Sequence, residues 1–133
     1  MTTPLTPLQP APVIALLSGT VDMAFLKPAF AAACPGIDLR LLPDLGPLHE
    51  IEAAACWQAP AGVLASLPGL RLVQSVAAGI DHLTNDPSLP PQVPLCRIVD
   101  PEMASGMAAY VAWAVVQHQR HMDRFLHQAA RAE

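Results

Sequence analysis

The run Leu72-Val73-Gln74-Ser75-Val76 passes into Ala77-Ala78-Gly79-Ile80 and then into Asp81-His82-Leu83. This order of residue types reads as a strand, a tight small-residue turn and a helix start. Small side chains let a ligand come close to the backbone, and Gly79 opens torsion angles that other residues avoid. Consecutive N–H groups at Ala77, Ala78 and Gly79 can converge on one concavity and hold an anion such as a carboxylate. Asp81 would then cap the following helix and not touch the ligand. The plain alternative is a strand-to-helix turn that binds nothing.

Other candidates are weaker. His118 and His121 lie three residues apart, on one face of a continuous helix. No carboxylate or third histidine completes a metal set at helical spacing, so they read with His127 as solvated histidines. His82 adjoins the small-residue turn and is a candidate for substrate contact. Asp100 and Glu102 sit where a helix begins, which suits capping. Arg97 falls in the last predicted strand and is expected to pair with Asp81 or Asp100, because a lone buried charge is costly. Cys34, Cys56 and Cys96 are odd in number and lack metal-ligand spacing. They suit buried thiols in a reducing compartment. Nothing basic adjoins Cys56 in sequence, so it is not read as a nucleophile.

The elements that must position these residues follow from apolar runs and breakers. Val13-Ile14-Ala15-Leu16-Leu17, bounded by Ser18-Gly19-Thr20, predicts a strand buried on both faces. A helix is predicted over 21–34, with Asp22 in its first turn, Pro28 imposing a kink or a late start, and Pro35-Gly36 as its stop. Further strands are predicted over 37–42, 53–57 (weak, because Ala is a poor strand former), 70–76 and 94–99. Short helical turns fall at 61–67 and 81–85. Residues 101–132 read as one long helix, about 45 Å at 1.5 Å per residue. Its first half, 103–116, is apolar nearly all round and expects burial. Its second half carries a stripe of Met122, Phe125, Leu126 and Ala129 that needs a partner surface. Alternating strands and helices imply α/β architecture, a flavodoxin-like parallel five-stranded sheet with flanking helices and a long carboxy-terminal helix. The domain reading is an extended tail at 1–12, the sheet domain at 13–100 and the long helix at 101–133.

Composition excludes whole classes. The 133 residues are 53% apolar and only 14% charged, so the chain can build a core and is not a disordered acidic or basic segment. The net charge is −4 and Lys27 is the single lysine, which argues against nucleic-acid binding by phosphate neutralisation. The apolar run at 103–116 is shorter than the ~20 residues that span a bilayer. The first twelve residues lack a basic n-region and carry four prolines, unlike a secretory leader. The expectation is a cytoplasmic protein.

Three segments together resemble a known family: the run from Leu67 through Ser75 to Asp81; Val93-Pro94-Leu95-Cys96-Arg97-Ile98-Val99-Asp100; and Met103-Ala104-Ser105-Gly106-Met107-Ala108-Ala109-Tyr110-Val111. They are similar to D-isomer-specific 2-hydroxyacid dehydrogenases, in their amino-terminal substrate-binding part. Trp57, in Cys56-Trp57-Gln58-Ala59-Pro60, resembles the Trp-x-x-Pro segment of the glyoxylate/hydroxypyruvate reductase branch. The resemblance implies that the turn at Ala77, Ala78 and Gly79 holds a substrate carboxylate through backbone amides. It also implies that Trp57 lines the pocket for a small 2-oxo acid. Met103 and Met107 fall near the family's interdomain cleft, where a core role is the expectation.

The departures bear on function. Ala109 stands where the family usually has Glu. The seven glycines do not fall into Gly-x-Gly-x-x-Gly spacing. The family's nucleotide-binding domain and its catalytic Arg, Glu and His have no counterpart here. The resemblance therefore implies NADP or NAD in the full-length enzyme and none for this chain alone. No catalytic, cofactor-binding or metal residue is assigned, and the chain alone is expected to be inactive. The expected partners are a small 2-oxo acid and a second copy through the 101–133 helix. The alternative is a non-catalytic flavodoxin-like module that dimerises. A phosphate-accepting receiver domain is set aside, because Ser18-Gly19-Thr20 replaces the acidic cluster it needs after the first strand.

Overall fold

A computed structural model describes residues 12–131. The expected tail at 1–12 lies almost entirely outside them. Five strands form one all-parallel sheet in the order β2-β1-β3-β4-β5. They are β1 (Val13–Leu17), β2 (Asp38–Leu41), β3 (Ile51–Cys56), β4 (Leu72–Ser75) and β5 (Leu95–Cys96). The chain steps from β1 outward to β2, then crosses back over β1 to β3. The carboxyl ends of β1 and β3 thus flank the point where winding reverses, which is where open α/β sheets form a crevice.

Both faces of the central strands are covered, as their unbroken apolar runs require. On one face Ala15, Leu17, Ala54, Cys56 and Val73 pack against Leu64, Leu67 and Leu83. On the other, Leu16 and Ala55 pack with Met23, joined by the half-buried Trp57 and Val76. Fully burying a leucine such as Leu64 or Leu83 contributes about 1.5–3 kcal/mol. β3 begins at Ile51, two residues before the apolar run suggested. Its alanines work as strand residues because flanking strands and large side chains from both layers bury them. Gly69 is required by close approach: a Cβ there would lie 2.6 Å from the His49 carbonyl oxygen.

The predicted helix over 21–34 is two pieces. Met23–Leu26 is a 3-10 turn capped by Asp22, whose carboxylate accepts from the Ala24 N–H at 2.9 Å. Helix α1 (Lys27–Ala33) starts late, with Pro28 in its first turn, where the missing N–H costs nothing. Helix α2 is Asp81–Thr84. β5 is only two residues long, far shorter than the predicted 94–99.

The chain divides into two compact units, with the boundary between Ile98 and Val99 in sequence. The second contains α3 (Pro101–Gln119) and α4 (Met122–Ala130). Asp100 caps α3, accepting from the Glu102 N–H at 2.9 Å. The single long helix is corrected here: it breaks at Arg120 and His121, and His121 takes a left-handed backbone, φ 51°. No glycine or proline marks that break in the sequence. The expected burial of the apolar first half is also corrected. Met103, Met107, Tyr110, Val111 and Trp113 are all exposed. Among the described residues, no helix is long and apolar enough to cross a membrane.

Candidate functional site

The turn from Val76 to Ile80 leaves the carboxyl end of β4, and a buried hydroxyl shapes it. Ser75 is fully buried; its Oγ donates to the Gly79 carbonyl oxygen at 2.9 Å and accepts the Ala77 N–H at 3.2 Å. Two further donors hold the outer carbonyls. The Ile98 N–H donates to the Ala77 oxygen at 3.1 Å, and Arg97 Nη1 donates to the Ala78 oxygen at 3.2 Å. In a trans peptide the C=O and N–H point in opposite directions. Fixing the Ala77 and Ala78 oxygens toward the 97–98 segment therefore turns the Ala78 and Gly79 N–H groups away from it. Among the described residues neither N–H has an acceptor. A Cβ placed on Gly79 would meet open space. The result is a pair of fixed, unengaged donors on an open surface, with a guanidinium behind their peptide plane. Such an arrangement suits an anion.

Several expectations change. The Ala77 N–H is already taken by Ser75, so two donors remain free where three were expected. Gly79 is not left-handed; Gly36, Gly46 and Gly62 are the glycines with positive φ. Its use is its open Cβ position. Asp81 is not the cap of α2; Ile80 holds that position and Asp81 lies in the first turn. Arg97 lies beyond β5 and is exposed. It bonds a carbonyl and neither Asp81 nor Asp100, so no buried charge needed pairing. Among the described residues, the ion pairs are those of Arg40 with Asp38 and Glu50. Cys96 is exposed and Cys34 half-buried; only Cys56 is the buried thiol expected of all three. Burial pushes the Cys56 thiol up to about 12, which fits its exclusion as a nucleophile.

Trp57 follows β3 directly, and its N–H donates to the Leu17 carbonyl at 3.0 Å. Its ring faces a cavity of about 280 Å³, lined by Val21, Met23, Phe25, Trp57, Val76 and Ala77. On another side it meets the His82 ring, centroids 5.2 Å apart and planes tilted by 52°. His82 Nε2 is buried without a hydrogen-bond partner among the described residues. His82 does not line the cavity, so its contact is with Trp57. Ala77 belongs to both the cavity wall and the turn. The structure thus brings Trp57 and Ala77 to one cavity, with Ala78 and Gly79 next along the chain. Sequence reading missed Ser75, although a serine two residues before a turn residue is a familiar side-chain-to-backbone bonder. The helix predicted over 21–34 also gave no sign that Val21, Met23 and Phe25 would line a cavity. His118 and His121 fall on opposite sides of the helix break, not on one helix face.

The turn after β1 does not suit a dinucleotide. It leads to a helical start where the Asp22 carboxylate already accepts the Ala24 N–H. A negative charge at that place opposes a pyrophosphate. Gly19 does not open a cradle either, since a Cβ there would contact the Gln58 oxygen and the Pro60 ring.

Strand order and parallel sense define a flavodoxin-like α/β domain. Sequence and structure comparisons then place it among known proteins. No protein-family model matches the chain. Over 85 residues it is 33% identical to glyoxylate/hydroxypyruvate reductase A of Yersinia enterocolitica, covering 60% of this chain and 27% of that protein. The D-isomer-specific 2-hydroxyacid dehydrogenase of Xanthobacter autotrophicus, solved with NADPH and MES, superposes with a TM-score of 0.71 at 31% identity; the match covers 92% of this chain and 40% of that one. The NADPH-dependent glyoxylate/hydroxypyruvate reductase of Sinorhizobium meliloti, solved with NADP and sulfate, gives 0.63 at 30% identity, over 92% of this chain and 39% of that one. The resemblance to D-isomer-specific 2-hydroxyacid dehydrogenases therefore holds in sequence and in fold. The chain spans about two fifths of the length of these solved relatives.

Proposed function

We propose that this chain is the substrate-binding part of an NAD(P)H-dependent 2-oxo acid reductase acting on glyoxylate or hydroxypyruvate. The observation that carries the reading is the pair of unengaged N–H groups at Ala78 and Gly79. They follow directly on Ala77, which lines one cavity with Trp57, at the carboxyl end of a sheet whose fold and sequence resemble such reductases. The two N–H groups hold the substrate carboxylate, and Ser75, Arg97 and Ile98 keep them aimed. Trp57 walls the site and excludes water from the oxo end. A separate nucleotide-binding domain supplies the dinucleotide and the groups that move the proton, so this chain alone does not turn over. The relatives solved with NADPH or NADP support that nucleotide for the whole enzyme. The exposed apolar residues of α3 and α4 support a homodimer through residues 101–133; a cytoplasmic location is part of the same proposal. The same exposed residues favour the second reading, a non-catalytic dimerisation module.

The test is an amide-resolved NMR titration of the chain with glyoxylate, using glyoxylamide as the uncharged control. The Ala78 and Gly79 amide protons are expected to move downfield with the acid and to stay put with the amide. NADPH oxidation by the chain alone is expected to be nil. Unmoved Ala78 and Gly79 resonances would leave the dimerisation module as the better reading. Turnover by the chain alone would overturn the placement of the catalytic groups elsewhere.

A further inference from the structure

His82 stands beside the site without lining its cavity. It lies in α2, three residues after Gly79, and its ring meets the Trp57 ring with centroids 5.2 Å apart and planes tilted by 52°. Aromatic pairs favour tilted contacts at that spacing. Its Nε2 is buried and has no hydrogen-bond partner among the described residues. A buried nitrogen that bonds nothing adds no polar hold, so what His82 offers Trp57 is a ring surface. Trp57 has a use for one. Its N–H donates to the Leu17 carbonyl at 3.0 Å, which pins the backbone but leaves both side-chain torsions free. It packs with Leu16, Met23 and Ala55 on the sheet side, and its ring also borders the open cavity.

His82 itself is held in place. The next residue, Leu83, is 1% exposed and belongs to the main core. The first bonds of α2 run back to Ile80, whose oxygen accepts the Leu83 N–H at 2.8 Å and the Thr84 N–H at 3.0 Å. Ile80 directly follows Gly79. One short, anchored run therefore joins the two donor amides to the ring that touches Trp57. We infer that His82 is a positioning residue: it fixes the Trp57 ring relative to the Ala78 and Gly79 amides, and it acts through its ring and not through a bond to substrate. The inference rests on the reading of the turn as a carboxylate site walled by Trp57. It replaces the direct substrate contact expected of His82 from sequence.

Two variants separate the ring from its nitrogens. His82→Asn keeps a polar group and loses the ring; His82→Phe keeps a ring and loses the nitrogens. Both are made in a Trp113→Phe background, so that the indole signal comes from Trp57 alone. Near-ultraviolet circular dichroism reads whether the indole is held. NMR titration with glyoxylate reads the dissociation constant at the Ala78 and Gly79 amides. In His82→Asn the Trp57 dichroism is expected to collapse and the dissociation constant to rise about fivefold, the scale of one aromatic pair. The Ala78 and Gly79 shifts of the free variant are expected to stay at their parent values. His82→Phe is expected to restore both the dichroism and the affinity. If the two amide shifts move together with the Trp57 signal, His82 holds the turn and not the wall, and the inference is overturned. Parent-like affinity in His82→Asn overturns it too. So does affinity kept in His82→Asn but lost in His82→Phe, which would make a nitrogen the working part. If His82→Phe does not fold, His82→Asn decides alone. If glyoxylate moves neither amide in the parent, the carboxylate reading fails, and the dichroism alone decides whether His82 orients Trp57.

Discussion

The Ser75 hydroxyl and the Gly79 carbonyl, four residues apart, are joined at 2.9 Å across the turn that follows β4. The same oxygen accepts the Ala77 N–H, so one buried side chain closes the turn from inside. Ser75→Ala would leave the Gly79 carbonyl and the Ala77 N–H without their partner. The expected cost is about 1–3 kcal/mol of stability. Denaturant unfolding measures it, and hydrogen exchange is expected to speed up at Ala77 more than at Val73. An unchanged exchange rate at Ala77 would show that the hydroxyl does not hold the turn.

Asp86 ties two loops together. Its carboxylate accepts from the Ser88 hydroxyl at 2.6 Å, the Ser88 N–H at 2.9 Å and the Gly62 N–H at 3.0 Å. The Ser88 hydroxyl bond, then the Gly62 and Ser88 N–H bonds, hold its pKa below the ordinary value of 3.8. A carboxyl lowered on folding contributes stability above its unfolded pKa and loses it as pH falls through the folded value. Asp86→Asn turns an amide N–H₂ toward the Gly62 N–H if the Ser88 bonds are kept. The variant is expected to be less stable than the parent at neutral pH, with the gap narrowing in acid below the ordinary carboxylate range. A gap independent of pH would place the effect outside the carboxylate's charge.

Cys56 gives the opposite pH dependence. Burial lifts its thiol from 9.0 to about 12, so the folded chain keeps a proton that the unfolded chain loses. The stability this contributes is complete below pH 9 and is lost as pH rises toward 12. Cys56→Ala is expected to flatten the alkaline limb of the stability curve. With a thiol-reactive reagent on the native chain, Cys96 is expected to react first, and Cys56 only after unfolding. Early labelling of Cys56 would show that its shell opens easily.

The parts of the fold that local chemistry governs were readable from residue types. The unbroken run Val13-Ile14-Ala15-Leu16-Leu17 reads as a strand covered on both faces, and it is an interior strand between β2 and β3. Asp100 before Pro101 announced a helix start, and Asp100 does cap it. What failed depended on partners distant in sequence. β5 stops at Cys96, where Arg97 and Ile98 bond the carbonyls of Ala78 and Ala77, residues 19 and 21 positions away. The strand pattern at 94–99 contains no trace of that. The turn after β4 was visible from its small residues, but which of its N–H groups remain free depended on where the Ser75 hydroxyl points. The contact between Trp57 and His82 joins the end of β3 to α2, 25 positions apart, and needed the fold to be seen. The apolar cavity needed it too, because Phe25 and Trp57 have no sequence relation that would set them on one wall.

The break between α3 and α4 is the clearest place where sequence was silent, and it can be tested. His121 has φ 51° and ψ 40°, a left-handed conformation that costs a side-chain-bearing residue about 1–2 kcal/mol. Glycine adopts it without that penalty. In a regular helix the same substitution would instead cost roughly a few tenths of a kcal/mol. His121→Gly therefore separates the two structures by sign: it is expected to leave helicity unchanged and raise the thermal midpoint of the chain. His121→Ala, which keeps a Cβ, is expected to gain nothing if the break persists. A loss of helical circular dichroism in His121→Gly, with a gain in His121→Ala, would mean that residues 101–130 form one continuous helix in solution.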